Sequence, residues 1–194
     1  MNSESKTSTS GFRLQQVLTC SNVRLSAERW PSRKEMVNRL EHVADRWLLL
    51  AEDQEHAADF YTITARQHDA NVGIGISSIT GTLGPALIIP TESIWIIGFN
   101  CDVTTLEINR AAILNHVRYE STFFAFANDA ADPPFLAIFE TGVVAIDALG
   151  QRLWQVSTDI ITTFDRVDER LHLQQFDGPA LILDVNTGQS SPAA

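Results

Sequence analysis

Two groups of carboxylates come nearest to chemistry in this sequence: Asp129 and Asp132 in the stretch AFANDAADPPF, and Asp165, Asp168 and Glu169 in FDRVDERL. Paired acids do general acid–base work when burial raises the pKa of one of them. Here both groups sit among turn-forming residues between apolar runs, so they read as solvated hairpin tips that dock a partner, with no catalytic residue assigned. Neither loop has the alternating acidic ligands and glycine of a calcium site. The five histidines, His42, His56, His68, His116 and His172, form no His-x-x-x-His or His-Glu-x-x-His arrangement, and no metal site is expected.

Gly73-Ile-Gly75-Ile-Ser-Ser78 approaches a dinucleotide fingerprint. Its third glycine is absent, and Gly81, Gly84 and Pro85 forbid the helix whose N–H groups would hold a pyrophosphate. A glycine-containing strand is the expectation. No phosphate loop or nucleophile elbow is present, and no cofactor is expected. Cys20 and Cys101, 81 positions apart, fit neither a metal knuckle nor a disulfide framework and read as reduced thiols. Of the four tryptophans, Trp47 and Trp95 read as core, Trp154 as a cover for a sheet, and Trp30, beside Pro31, as the exposed candidate for binding.

Charge narrows the partners. Residues 1–50 carry eight Lys/Arg and five Asp/Glu, whereas residues 51–194 carry six and nineteen, for a net charge of −10 overall. An acidic body repels phosphate backbones, so nucleic acid is disfavoured and a basic protein surface is favoured. No apolar run approaches membrane-span length, and residues 1–10 lack the apolar segment of a secretory signal. A cytoplasmic protein without membrane contact is the expectation.

These residues must be positioned by elements that the pattern also predicts. Residues 1–11 read as a disordered tail, leaving 12–194 as a single domain. Ser32 and Glu35 form a Ser-x-x-Glu capping box, and Met36, Val37, Leu40, Val43, Ala44, Trp47 and Leu48 recur at helical spacing, predicting an amphipathic helix over about 33–50. From about 60 to 186, short apolar or alternating runs separated by Gly, Pro, Asn and Asp read as strands of a meander. Asn109 to Tyr119 is the exception, read as a short second helix with Asn109 as its N-cap.

Two C-terminal stretches, ETGVVAIDALGQRLW and FDGPALILDVNTGQ, share one outline: a Gly, an apolar run closing on an Asp, then a Gly turn. Asp147 and Asp184 lie 37 residues apart, and Gly150 and Gly188 lie 38 apart. This outline resembles the hairpin repeat of quinoprotein-type β-propellers over residues 140–189. The resemblance implies stacked hairpin units. It does not imply quinone binding, because that family's site is assembled from many blades.

The expected fold is mainly β (α+β): an N-terminal amphipathic helix packed on an antiparallel β-meander, as an open curled sheet or two-sheet sandwich rather than a closed propeller. The expected function is non-catalytic recognition of a macromolecular partner, such as an inhibitor or immunity-type protein for a basic partner. The alternative is a small hydrolase or ligand-binding enzyme whose carboxylates converge from separate loops.

Overall fold

The computed structural model describes residues 14–19, 23–50, 56–67, 69–79, 83–128 and 131–192. The tail, Cys20, His68 and Asp129 lie outside these residues. Along the chain run β1 (Gln16–Thr19), β2 (Leu25–Trp30), α1 (Arg33–Val43), β3 (Arg46–Leu50), β4 (Asp59–Gln67) and β5 (Ala70–Ser78). Next come β6 (Ala86–Thr91), β7 (Ile94–Phe99), β8 (Asp102–Glu107), a 3₁₀ turn (Ile108–Arg110) and β9 (Ala112–Arg118). The chain continues with β10 (Phe123–Phe126), β11 (Phe135–Phe139), β12 (Gly142–Ile146) and β13 (Arg152–Ser157). The last four strands are β14 (Ile161–Val167), β15 (Arg170–Gln175), β16 (Leu181–Asp184) and β17 (Ser190–Pro192). Among the described residues the architecture is mainly β, with one helix and four open sheets that form no closed barrel or propeller.

Two structural units divide these elements, one of residues 24–79 and the other built from residues 14–19, 23 and 83–192. In the first, the sheet order is β2-β4-β5-β3, with β3 parallel to β5 and the other pairs antiparallel. The helix begins where the capping box places it: Ser32 Oγ accepts from the Glu35 N–H at 3.3 Å and also donates to the Glu35 carboxylate. Met36 and Leu40 bury completely as the helix packs on β4 and β5. Room for them comes from the Gly73 and Gly75 pair, a strand as expected. A Cβ on Gly73 would lie 2.6 Å from Leu40 Cδ2, and one on Gly75 would lie 2.5 Å from Leu49 Cδ2 and 2.9 Å from Leu40 Cδ1.

The helix stops at Val43, seven residues before the predicted end, because Ala44 turns extended (φ −114°, ψ 132°) and Arg46–Leu50 become β3. The run RWLLL suits either state locally, and pairing residue for residue with Val72–Ile76 decides for strand. Asp45 pins the junction, its N–H donating to the Asn71 carbonyl at 2.8 Å and its carboxylate accepting from the Asn71 N–H at 2.7 Å.

The second unit holds three sheets: β1-β6-β7-β8-β9, β10-β11-β12-β13 and β14-β15-β16-β17. Every neighbouring pair is antiparallel except β1 with β6. The predicted short helix over Asn109–Tyr119 is instead a 3₁₀ turn followed by β9. Ala111 takes a left-handed conformation (φ 48°) that breaks helical continuation, and the strand pairs with β8.

The middle sheet is covered on both faces. Phe135, Ala137, Phe139, Val144 and Ile146 pack with Ala86, Ile88, Ile96 and Val103 of the preceding sheet. Leu136, Ile138, Val143 and Ala145 pack with Ile161, Leu171, Leu173 and Leu183 of the following one. Strands β11 and β12 therefore read as continuous apolar runs, as doubly buried strands must.

Candidate functional site

The repeated Asp and Gly turns are structural. Asp147 Oδ1 accepts from the N–H groups of Leu149 and Gln151, at 2.9 and 2.8 Å. Asp184 Oδ1 accepts from the N–H groups of Asn186 and Thr187 and from the Thr187 hydroxyl. Both closing glycines adopt positive φ, 76° at Gly150 and 70° at Gly188. The Thr187 hydrogen bonds, hydroxyl first, hold the Asp184 carboxyl below the ordinary aspartate value. Such carboxylates are committed to their own turns and are not free for a ligand.

Among the described residues, Asp132, Asp168, Glu169 and Trp30 do not join Asp165 at the groove it lines. Asp132 is exposed in a loop that Asn128 organises, its amide donating to the carbonyls of Asp132 and Pro134 while its Oδ1 accepts from the Leu136 N–H. Asp168, with φ 54°, and Glu169 form the exposed tip of the β14–β15 hairpin. Asp165 stands opposite His172 in that hairpin. Among the described residues the carboxylates of Asp132, Asp165, Asp168 and Glu169 form no hydrogen bond or ion pair. Trp30 is half-buried at the end of β2, its indole donating to Thr62 Oγ1 at 3.1 Å, which ties it to its own sheet.

A groove of about 360 Å³ lies between Gln15, Gln16, Ala125–Asn128 and Phe164–Arg166. Its glutamines are already engaged. Gln16 Nε2 donates to the carbonyls of Phe126 and Asn128, Gln16 Oε1 accepts from the Phe126 N–H, and Gln15 Nε2 donates to the Phe124 carbonyl. The groove is where β1, paired with β6 on one side, is stitched to β10 on the other. Among the described residues one histidine–carboxylate pair occurs, His116 Nε2 to Asp102 Oδ1 at 2.8 Å, and it lines no part of this groove. No hydroxyl or thiol bonds to His116 among the described residues.

The final sheet is different in kind. Its inward residues, Leu171, Leu173 and Leu183, are buried, while alternate positions on the other face carry Arg170, His172, Gln174 and Ile182, with Thr163 and Asp165 opposite on β14. In the middle sheet the corresponding outward positions are Leu136, Ile138, Val143 and Ala145, all fully buried. The last face is thus largely polar where its predecessor is aliphatic, as in a sheet with one face turned to solvent. From Thr158 to Pro192 the chain carries six carboxylates and only two arginines. No sequence motif marked this face, because its polarity is visible only once inward and outward positions are assigned.

No family model and no curated protein matches the sequence. Among solved structures, the WD40 domain of Toxoplasma gondii coronin aligns with a TM-score of 0.52 at 8% identity, covering 94% of this chain and 46% of that one. BamB from Moraxella catarrhalis aligns at 14% identity over 68% of this chain and 42% of that one, with a TM-score of 0.42. The computationally designed Ika4 protein aligns at 18% identity over 56% of this chain and 69% of that one, with a TM-score of 0.44. The chain thus spans less than half the length of the coronin domain and of BamB. The coronin likeness shows a fold of the β-propeller type, which agrees with the resemblance read from residues 140–189 at that coarser level. Among the described residues, no helix is long and apolar enough to cross a membrane.

Proposed function

We propose that this chain is a non-catalytic interaction domain that recognises a basic macromolecular partner, of the kind an inhibitor or immunity-type protein would bind. One observation carries the reading: the final sheet turns outward a largely polar face, bearing Asp165 and ending in the Asp168–Glu169 hairpin tip, at positions where the preceding sheet is wholly aliphatic. Asp165, Asp168 and Glu169 on this sheet are exposed and unpaired among the described residues, so their field is not spent internally. Complementary charge of this kind steers encounter and selects among partners. The propeller-type sheets enter as scaffold only, and the outline shared with quinoprotein-type repeats brings no quinone chemistry with it.

The test is binding of the full chain to a fluorescent lysine- and arginine-rich peptide, followed by anisotropy. Raising salt from about 0.1 M to about 1 M shortens the screening length from about 10 to about 3 Å and should weaken the complex steeply. A triple substitution Asp165→Asn, Asp168→Asn and Glu169→Gln should weaken it at low salt and flatten the salt dependence. Absence of binding, or binding indifferent to both salt and substitution, overturns the reading.

A further inference from the structure

We propose that Phe176 anchors this partner surface and that its occupant is an arginine-bearing segment of a basic protein, an inference that rests on the acidic-recognition reading above. Phe176 is 70% exposed, the most exposed of the large apolar residues among those described. It stands opposite Ile160, 41% exposed, with the Phe176 N–H donating to the Ile160 carbonyl at 2.8 Å. Asp177 follows Phe176 and Asp159 precedes Ile160, so the exposed apolar pair is flanked in sequence by two exposed carboxylates, of which Asp159 already accepts from the Ile160 N–H. That of Asp177 has no hydrogen bond or ion pair among the described residues.

Isolated exposed apolar side chains are ordinary on protein surfaces and need no explanation. What distinguishes this pair is how firmly its loops are held. The Gln175 side chain bonds to both: its Oε1 accepts from the Asp159 N–H at 2.8 Å, and its Nε2 donates to the Pro179 carbonyl at 2.6 Å. Asp159 Oδ1 further accepts from the Ile160 N–H at 2.7 Å. Gly178 lies against the Gln175 amide, where a Cβ would approach Nε2 to 3.0 Å. A backbone held in this way leaves only the ring's own torsions to be ordered on contact, which keeps the entropic cost of an interface anchor low.

The chemistry of the bracket selects the occupant. A second copy of this chain would bring acid against acid, since the net charge is −10 and the sheet is itself acidic. A guanidinium suits the position: its flat face stacks on an aromatic ring while its N–H edge reaches a neighbouring carboxylate in bidentate fashion. A lysine ammonium offers a point charge without that plane. The surface should therefore prefer arginine to lysine, and the preference should reside in the ring.

The experiment compares a labelled peptide of alternating arginine and glycine with its lysine counterpart, against the full chain and against Phe176→Leu, Phe176→Tyr and Asp177→Asn. The native chain should bind the arginine peptide more tightly. Phe176→Leu keeps apolar bulk and should weaken arginine binding about two- to fivefold with little effect on the lysine peptide, while Phe176→Tyr retains the preference. Asp177→Asn should weaken both peptides, the arginine one more. Because the ring is exposed, the thermal midpoint of Phe176→Leu should match the native chain, which separates loss of binding from loss of fold. Salt-sensitive binding of both peptides with no arginine preference, or with a preference that survives Phe176→Leu, overturns the anchor and leaves the acidic reading standing. Failure of both peptides to bind overturns both.

Discussion

The indole of Trp154 and the backbone at Gly188 interlock across two sheets: Trp154 Nε1 donates to the Val185 carbonyl at 3.0 Å, and a Cβ on Gly188 would lie 2.7 Å from the ring. One repeat earlier, Asn115 Nδ2 donates to the Gly150 carbonyl, and a Cβ on Gly150 would strike Thr105. In both cases an outer-strand side chain of one sheet clasps the Asp–Gly turn of the next. The repeat is therefore held by a donor reaching a turn carbonyl, whether that donor is an indole or an amide.

Gly188→Ala should destabilise the chain by more than the about 1–2 kcal/mol of a left-handed residue with a Cβ, because the ring must also move. Trp154→Phe should cost about 1–3 kcal/mol by leaving the buried Val185 carbonyl without its donor. Denaturant unfolding of the two variants and their combination gives the coupling. Strictly additive costs would show that the two residues do not share this contact.

Asp184 makes stability depend on acid. Its Thr187 and Asn186 hydrogen bonds hold the folded-state pKa below that of the unfolded chain, so its contribution is present above about pH 3.9 and is lost as pH falls through the depressed folded value. Asp184→Asn should be less stable than the native chain at neutral pH. The gap should close as pH drops below that window, and a gap constant with pH in urea titrations would refute the linkage.

Gln16 fastens β1 to β10 with three side-chain bonds, one of them the acceptor for the Phe126 N–H at 3.0 Å. Gln16→Ala should cost about 1–3 kcal/mol. It should also raise hydrogen exchange at the Phe126 amide far more than at Leu136, whose N–H bonds to Asn128. Equal protection at Phe126 in both proteins would mean that the stitch is not formed.

Gly75→Ala tests the seat of α1. The added methyl meets Leu49, Leu40 and Met36, and overpacking of this kind costs about 1–3 kcal/mol. Adding Leu40→Val should recover part of the loss. If Gly75→Ala is neutral in thermal unfolding, the helix does not lie as closely on β5 as described.

Much of the local structure was legible along the chain. Ser32 and Glu35 announce the start of α1, the Asp147 and Asp184 turns announce a hairpin repeat, and alternation announces most strands, because each signal lies within a few residues of what it controls. The end of α1 and the strand state of Ala112–Arg118 were not legible. Helical periodicity continues through Trp47 and Leu48, and only the edge offered by β5 makes extended backbone the better state there.

The site divides in the same way. Composition alone established an acidic body after residue 50. Which acids share a face, and that Phe176 stands opposite Ile160 while Trp30 is drawn onto its own sheet, depended on which strands pair and which face each residue turns outward. Spacing dictates local backbone geometry because hydrogen bonds and sterics act over a few residues. Exposure of a given side chain is a property of neighbours distant in sequence, and it exists only once the sheets have stacked.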